Sequence, residues 1–186
     1  MQTKKYLFIA FALLVLVQLL VPLQMIWKRE NVWKKGQDVK FRMAPVDPVH
    51  PFRGRYINLH FSDDLHFYQT GTDWKRNQKV RVYLTLDKQG FARIDTVTAG
   101  AVPDKELFVK AKVDYVVKPA GKIALYYPFE RFYLEETRAP AVEKKFRELQ
   151  AGQIQNSYAL LKIHKGDAVI TDLFLNGKSI RKSENE

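Results

Sequence analysis

Cysteine is absent from the 186 residues. That one absence excludes a disulfide scaffold, a Cys-ligated zinc or iron–sulfur site, a Cys nucleophile and a lipidated N-terminal Cys. Nucleotide chemistry has no handle either, because neither a P-loop nor a G-x-G-x-x-G pattern occurs. Serine and threonine are missing from the whole stretch between Val39 and Tyr56, and Ser62, Ser157, Ser179 and Ser183 stand in or beside turn-like segments without a companion base. A serine peptidase of the membrane-anchored kind is therefore set aside. Acid is scarce, with 20 Asp and Glu against 31 Lys and Arg, a net charge of +11. No RNP-like aromatic strand or recognition-helix pattern accompanies that surplus, so no nucleic-acid partner is expected. At about 150 residues per domain the chain has room for one domain and an appendage. Its 46% hydrophobic and 13% aromatic content is enough to build a core.

The run from Tyr6 to Trp27, YLFIAFALLVLVQLLVPLQMIW, carries no charge. As a helix it would be about 33 Å long, the thickness of a hydrocarbon core of about 30 Å. Lys4 and Lys5 precede it, Lys28 and Arg29 follow, and Tyr6 and Trp27 stand at the two interfaces. A cleaved signal peptide is the competitor, but cleavage needs small residues near the end of the run. Its last small residue is Ala12, and it ends in bulky Leu23, Met25, Ile26 and Trp27. An uncleaved anchor is the expectation. Counting Lys28, Arg29, Lys34, Lys35, Lys40 and Arg42 would place the domain in the cytoplasm by the positive-inside rule. The five-residue N-terminal tail and long following domain instead match a signal anchor with its domain outside, and long domains translocate largely regardless of charge. The expected organisation is a cytoplasmic tail (1–5), a transmembrane helix (6–27), a basic juxtamembrane linker (28–38), a β-rich domain (39–182) and a polar tail (183–186).

Setting aside Lys4 and Lys5, the remainder keeps 29 basic against 20 acidic residues, net +9. Most of that surplus is a solvated face, while Lys28, Arg29, Lys34 and Lys35 are placed to attract anionic lipid. Beyond the linker, apolar residues recur with period two. Val39–Met43, Arg55–Phe61 with Ile57, Leu59 and Phe61 on one face, and Val80–Leu86 read as strands. Asp87-Lys88-Gln89-Gly90 reads as the turn of a hairpin answered by Phe91–Thr98. Leu107–Val117 is expected to pair with Lys122–Tyr127 across Lys118-Pro119-Ala120-Gly121. Ser157–His164, Ala168–Leu175 and Lys178–Ile180 close the chain through turns at Lys165-Gly166-Asp167 and Asn176-Gly177. One helix is expected late, from Pro140 to Gln150, with Val142, Phe146 and Leu149 on one face and Gly152 past its end. The fold class is α+β leaning to all-β, an antiparallel β-rich single domain with one late helix behind an N-terminal transmembrane helix.

The segment from Ala44 to Phe61, APVDPVHPFRGRYINLHF, resembles the signature of the GDYXXLXY family, a P-x-D-P segment followed by R-G-D-Y-x-x-L-x-Y on a strand. Pro45, Asp47, Pro48, Arg53, Gly54, Tyr56 and Leu59 match, whereas Arg55 replaces Asp and Phe61 replaces Tyr. Arg131-Phe132-Tyr133-Leu134-Glu135-Glu136 and Glu143 are similar to a second family segment, and Gly166–Ala168 with Leu173–Lys178 resemble its final hairpin. The resemblance implies a small bacterial envelope protein on the inner (cytoplasmic) membrane, single-pass, with an extracytoplasmic, periplasmic head. It further implies a non-enzymatic interaction module accessory to a polytopic membrane protein. It brings no chemistry with it.

Physically, Asp47 between two prolines is free to cap backbone N–H groups, and Arg53 is suited to pair with Asp47 or Glu136. Gly54 suits a close approach on entering the strand. Tyr56 faces opposite to Leu59 and Phe61 by period two, and Glu143 suits the first turn of the late helix. The functional alternative is that Asp47, Arg53, Tyr56, Tyr133, Glu136 and Glu143 converge on one polar cleft, in a ligand-binding or hydrolytic domain. His60, Asp63, Asp64 and His66 have the spacing of no helix-borne zinc motif, and Asp63-Asp64 reads as the start of a turn. Neither a metal nor a cofactor is expected.

Overall fold

The computed structural model describes residues 2–44, 56–59, 61, 65–67, 73–117, 122–133 and 157–181. Among these residues one helix, α1 (Gln2–Lys35), precedes eleven strands: β1 (Gln37–Arg42), β2 (Tyr56–Asn58), β3 (Leu65–Phe67), β4 (Lys79–Leu86), β5 (Ala92–Thr98), β6 (Phe108–Val117), β7 (Lys122–Tyr126), β8 (Arg131–Tyr133), β9 (Tyr158–His164), β10 (Asp167–Leu175) and β11 (Lys178–Ser179).

The 34 residues of α1 extend about 51 Å at 1.5 Å per residue. By length and composition α1 is able to cross a membrane, and its apolar window is not buried anywhere in the chain. It does not stop where the apolar run stops. Residues 28–35, expected as linker, are its last two turns, and the chain passes through Gly36 straight into β1. Gly36 is a close-approach position. A Cβ there would lie 2.3 Å from the Val32 carbonyl oxygen and 2.8 Å from Lys162 Cβ on β9. The Gly36 N–H donates to that same carbonyl at 2.9 Å, closing the helix. Val32 is 2% exposed, so the end of α1 is docked against the head.

The head is built from two antiparallel sheets and a short ribbon. One sheet has the order β1-β9-β10-β11, the other β3-β7-β6-β4-β5, and β2 pairs with β8. In β6, buried Val109, Ala111 and Val113 alternate with exposed Lys110 and Lys112, the pattern of a sheet with one wet face. Ala159, Leu161 and Ile163 alternate in the same way along β9. Buried side chains of both sheets form one core. Four rings join the sheets: Phe41 of β1 meets Phe61 at 5.4 Å and Phe129 at 5.6 Å, and Tyr127 stacks on Phe129 at 5.1 Å. Two parallel bridges, Lys40 with Phe91 and Val109 with Gly166, stitch the sheets at their margins. Gly166, at φ 81°, has no room for a side chain, since a Cβ would come within 2.3 Å of the Phe108 ring.

The expected hairpins are present. β4 pairs with β5, β6 with β7, and β9 with β10. Asn176 and Gly177 take φ of 48° and 79°, the left-handed pair of a tight turn before β11. The strand expected over residues 55–61 is shorter, Tyr56–Asn58, and Leu59 and Phe61 continue into the core beyond it. β3 and β8 were not expected as strands. The helix expected at 140–150 lies outside the described residues, so the helix that is described is the N-terminal one.

Candidate functional site

Asp47, Arg53, Glu136 and Glu143 lie outside the described residues, as do Gly54, His60, Asp63 and Asp64. Of the six residues of the expected cleft, Tyr56 and Tyr133 are described, and the backbone brings them together. They are direct register partners in the antiparallel β2·β8 ribbon, ahead of Ile57 with Phe132 and Asn58 with Arg131. The two sequence blocks that carry the resemblance are thus neighbours in space, although 77 positions separate the tyrosines. His66 stands in β3 opposite Ile123.

Two further residues of the first block, Leu59 and Phe61, are part of the core. Leu59 is 2% exposed and donates its N–H to the Glu130 carbonyl at 2.7 Å, just ahead of β8. Phe61, where the family pattern has Tyr, is 3% exposed within the ring cluster. An apolar ring at that position satisfies the core without needing a hydrogen-bond partner for a hydroxyl.

A different site is assembled where α1 meets the head. A groove of about 630 Å³ runs between the helix and the ends of β7, β8 and β10. Met25, Lys28, Arg29, Val32 and Trp33 form its helix wall. Phe129, Glu130, Arg131, Phe132, Val169, Ile170 and Arg181 are among the head residues opposite. Its volume falls within the range of small-ligand sites, about 300–1,000 Å³. Among the described residues, Lys28, Arg29, Arg131 and Arg181 are the cations that line it and Glu130 and Asp167 the carboxylates.

Those acids are engaged. Asp167 accepts from Lys28 Nζ at 3.1 Å and from Lys110 Nζ at 3.1 Å, so its charge is met twice. Glu130 Oε1 accepts the Tyr127 N–H at 2.9 Å. The Arg181 guanidinium lies 6.0 Å from the Trp33 ring and 5.9 Å from the Phe132 ring, a cation held between faces from α1 and β8. Arg29 has no ion-pair partner among the described residues. One turn along the helix, Lys34 pairs with Glu30 at 2.7 Å and, through that hydrogen bond and its charge, holds the Glu30 carboxyl below its ordinary value.

Sequence reasoning singled out Lys28 and Arg29 but missed Trp33, Arg131 and Arg181 as parts of a site. A faint signal existed in Val32-Trp33, two apolar residues inside an otherwise basic stretch. Their partners are about 100 to 150 positions away along the chain, beyond the reach of any local pattern. Among the described residues no cluster of His, Asp and Glu is arranged to hold a metal ion.

The GDYXXLXY protein family model matches residues 18–173, from the middle of α1 through Leu173 on β10. No curated protein and no solved structure matches the chain. With most of its length covered, including both blocks that meet at the β2·β8 ribbon, the chain belongs to the GDYXXLXY family.

Proposed function

We propose that this protein is a single-pass, membrane-anchored interaction module of the bacterial inner membrane, with its head outside the cytoplasm, acting by binding rather than by catalysis. A polytopic membrane protein is the proposed partner, and the bare face of α1 is available to it within the bilayer. One observation carries the reading. α1 runs without a break from a bilayer-length apolar segment into turns that are part of the head, where Val32 is buried and Gly36 touches β9. Removal of the apolar run as a signal peptide would cut next to an element of the fold. Retention leaves the head fixed at the membrane surface.

The experiment is membrane extraction at alkaline pH combined with protease accessibility of a C-terminal tag. The expected chain stays with the membrane, starts upstream of Tyr6, and loses the tag to protease only after the outer membrane is opened. A soluble chain beginning after Trp27, or a tag digested only once the inner membrane is breached, overturns the anchor or the orientation respectively.

A second reading, ligand binding or hydrolysis in a cleft around Asp47 and Glu136, draws support from the register of Tyr56 with Tyr133, one residue from each part of that constellation. It predicts a small molecule co-purifying with the native chain and lost from Glu136→Gln. A Glu136→Gln chain that keeps the same bound species counts against it.

A further inference from the structure

We infer that the wet face of the five-stranded sheet, around Lys79, Lys112, Tyr115 and Tyr126, rests on the anionic surface of the bilayer that α1 enters. The inference rests on the proposed anchor, and it concerns a surface other than the basic turns of the helix. Three observations carry it. The first is depth. Met25 of the apolar run and Lys28 just beyond it border the same groove as Tyr126 of β7, so that part of the sheet stands where hydrocarbon gives way to headgroups. β6 is tied to the same level. Lys28 Nζ and Lys110 Nζ each lie 3.1 Å from the Asp167 carboxylate, and the Lys110 N–H donates to the Gly166 carbonyl at 2.9 Å.

The second is charge set against pairing. Lys79 of β4 stands directly opposite Lys112 of β6, and Arg81 opposite Lys110, on the face turned away from buried Val80, Val82, Val109 and Ala111. Like charges directly opposite one another weaken a sheet. One of the two pairs is relieved, because Lys110 meets Asp167 and the Arg81 guanidinium lies 5.3 Å from the Phe108 ring. Asp114, the nearest acid along β6, is 3.9 Å from Arg76. Lys79 and Lys112 are exposed and have no acidic partner among the described residues. Anions from outside the protein would relieve them.

The third is aromatic. Tyr126 is the register partner of Lys112, Tyr115 stands opposite Ala124, and the two are 43% and 51% exposed. Exposed tyrosine beside lysine is the composition of a membrane interface, with the ring among the glycerol groups and the hydroxyl and ammonium among the phosphates. An acidic polypeptide would use the charge, but it would not need the face to lie at the depth of Met25 and Lys28.

A single labelled site is simple to make in a chain without cysteine. Tyr115→Cys carries a fluorophore on this face, and Lys88→Cys carries the control in the turn at the far end of β4. The full chain is placed in phosphatidylcholine nanodiscs, with and without phosphatidylglycerol, that contain headgroup-spin-labelled lipid as quencher. Quenching at position 115 is expected to rise with phosphatidylglycerol and to fall with added salt, and at position 88 to follow neither. Lys112→Gln should lower the contact equilibrium about fivefold, and Lys79→Gln added to it about fivefold again. Lys34→Gln with Lys35→Gln should leave it unchanged. Lys112→Glu gives Lys79 an opposite charge across the strands, so it should lose the contact while the head melts no earlier than the parent.

Equal quenching in the two lipid mixtures overturns the inference, and so does an equal loss from the Lys34/Lys35 variant, which would mean attraction by the helix segment. A photo-crosslinker at position 115 that captures a polypeptide and no lipid in native membranes would assign the face to an acidic protein. Release of the chain at alkaline pH would remove the anchor itself. A chain that stays in the membrane without phosphatidylglycerol-dependent quenching refutes the sheet face alone.

Discussion

Between Tyr6 and Trp27 α1 buries none of its large apolar side chains, and most of them are more than half exposed, up to 75% at Leu7. Between Lys28 and Lys35 the same helix is mostly charged, yet it buries Val32 and ends on a glycine wedged against β9. The first part has the length and composition of a helix that can cross a bilayer, where a helix satisfies its own backbone hydrogen bonds. The second part is a helix because the head holds it. Apolar composition therefore says how much surface must leave water, not what will cover it. In α1 the segment with less apolar surface is the one that has a partner within the protein.

Substitutions that act on one part and spare the other will sharpen this contrast. The largest effect is expected from a charge at the centre of the run. Leu16→Asp should disfavour membrane insertion by about 3 kcal/mol, read as the fraction of chain integrated, while the melting of the head stays where it is. A head that melts early in this variant would break the contrast, because it would mean the run is part of the folded core.

Next is Gly36→Val, which forces a side chain onto the Val32 carbonyl and Lys162. It should cost the head about 2–3 kcal/mol in thermal or urea unfolding while leaving insertion intact. Ala12→Val, an enlargement of similar size on the bare face, should change stability by less than about 0.5 kcal/mol.

Asp172→Ala tests the far end of the same sheet. Asp172 resumes the β9·β10 register after the shift at Thr171 and is buried, with Oδ2 accepting from Ser179 Oγ at 2.5 Å and Oδ1 accepting from the Leu173 N–H at 2.8 Å. Its loss removes a buried acceptor from both donors, and destabilisation of about 1–3 kcal/mol is expected, with no change in membrane retention.

The smallest effect is an acid-range one. Asp87 accepts the Phe91 N–H at 2.9 Å and the Gln89 N–H at 2.9 Å, and lies 3.4 Å from Arg42. The hydrogen bond from Phe91 first, then those from Gln89 and Arg42, hold its carboxyl below the ordinary aspartate value of 3.8 against a smaller opposing effect of burial. A depressed native value means the stabilisation is complete above that ordinary value and fades as pH falls through the native one. Asp87→Asn should remove this part of the acid sensitivity, seen as a flatter stability profile below about pH 4. An unchanged profile would show that the turn does not depend on the charge.

Much of the fold was legible because it is local. The β4·β5 hairpin follows from alternation on both sides of Asp87–Gly90, and Asn176-Gly177 marks its own turn. β3 and β8 were not legible, since three-residue strands hold too few residues to show a period, and each exists only because a distant strand pairs with it. The end of α1 was misread for a related reason. Lys28–Lys35 has the composition of a linker, and its helical state is supplied by contact with the head.

The same division holds for the sites. The family blocks were recognised from their residues, but only the register placed Tyr56 opposite Tyr133, and only packing sent Leu59 and Phe61 into the core. The groove was invisible, because Arg29, Arg131 and Arg181 belong to three segments that no short window contains.

By itself the amino-acid sequence determined the bilayer-length apolar run, the basic belt after it, the antiparallel hairpins and the family, since each depends on residues a few positions apart or on a pattern read in order. The tertiary structure alone decided that α1 extends into the head, that the two family blocks adjoin, and that cations from three segments share one groove. Those facts depend on strand register and on helix docking, in which the contribution of a residue is set by what lies across the core from it.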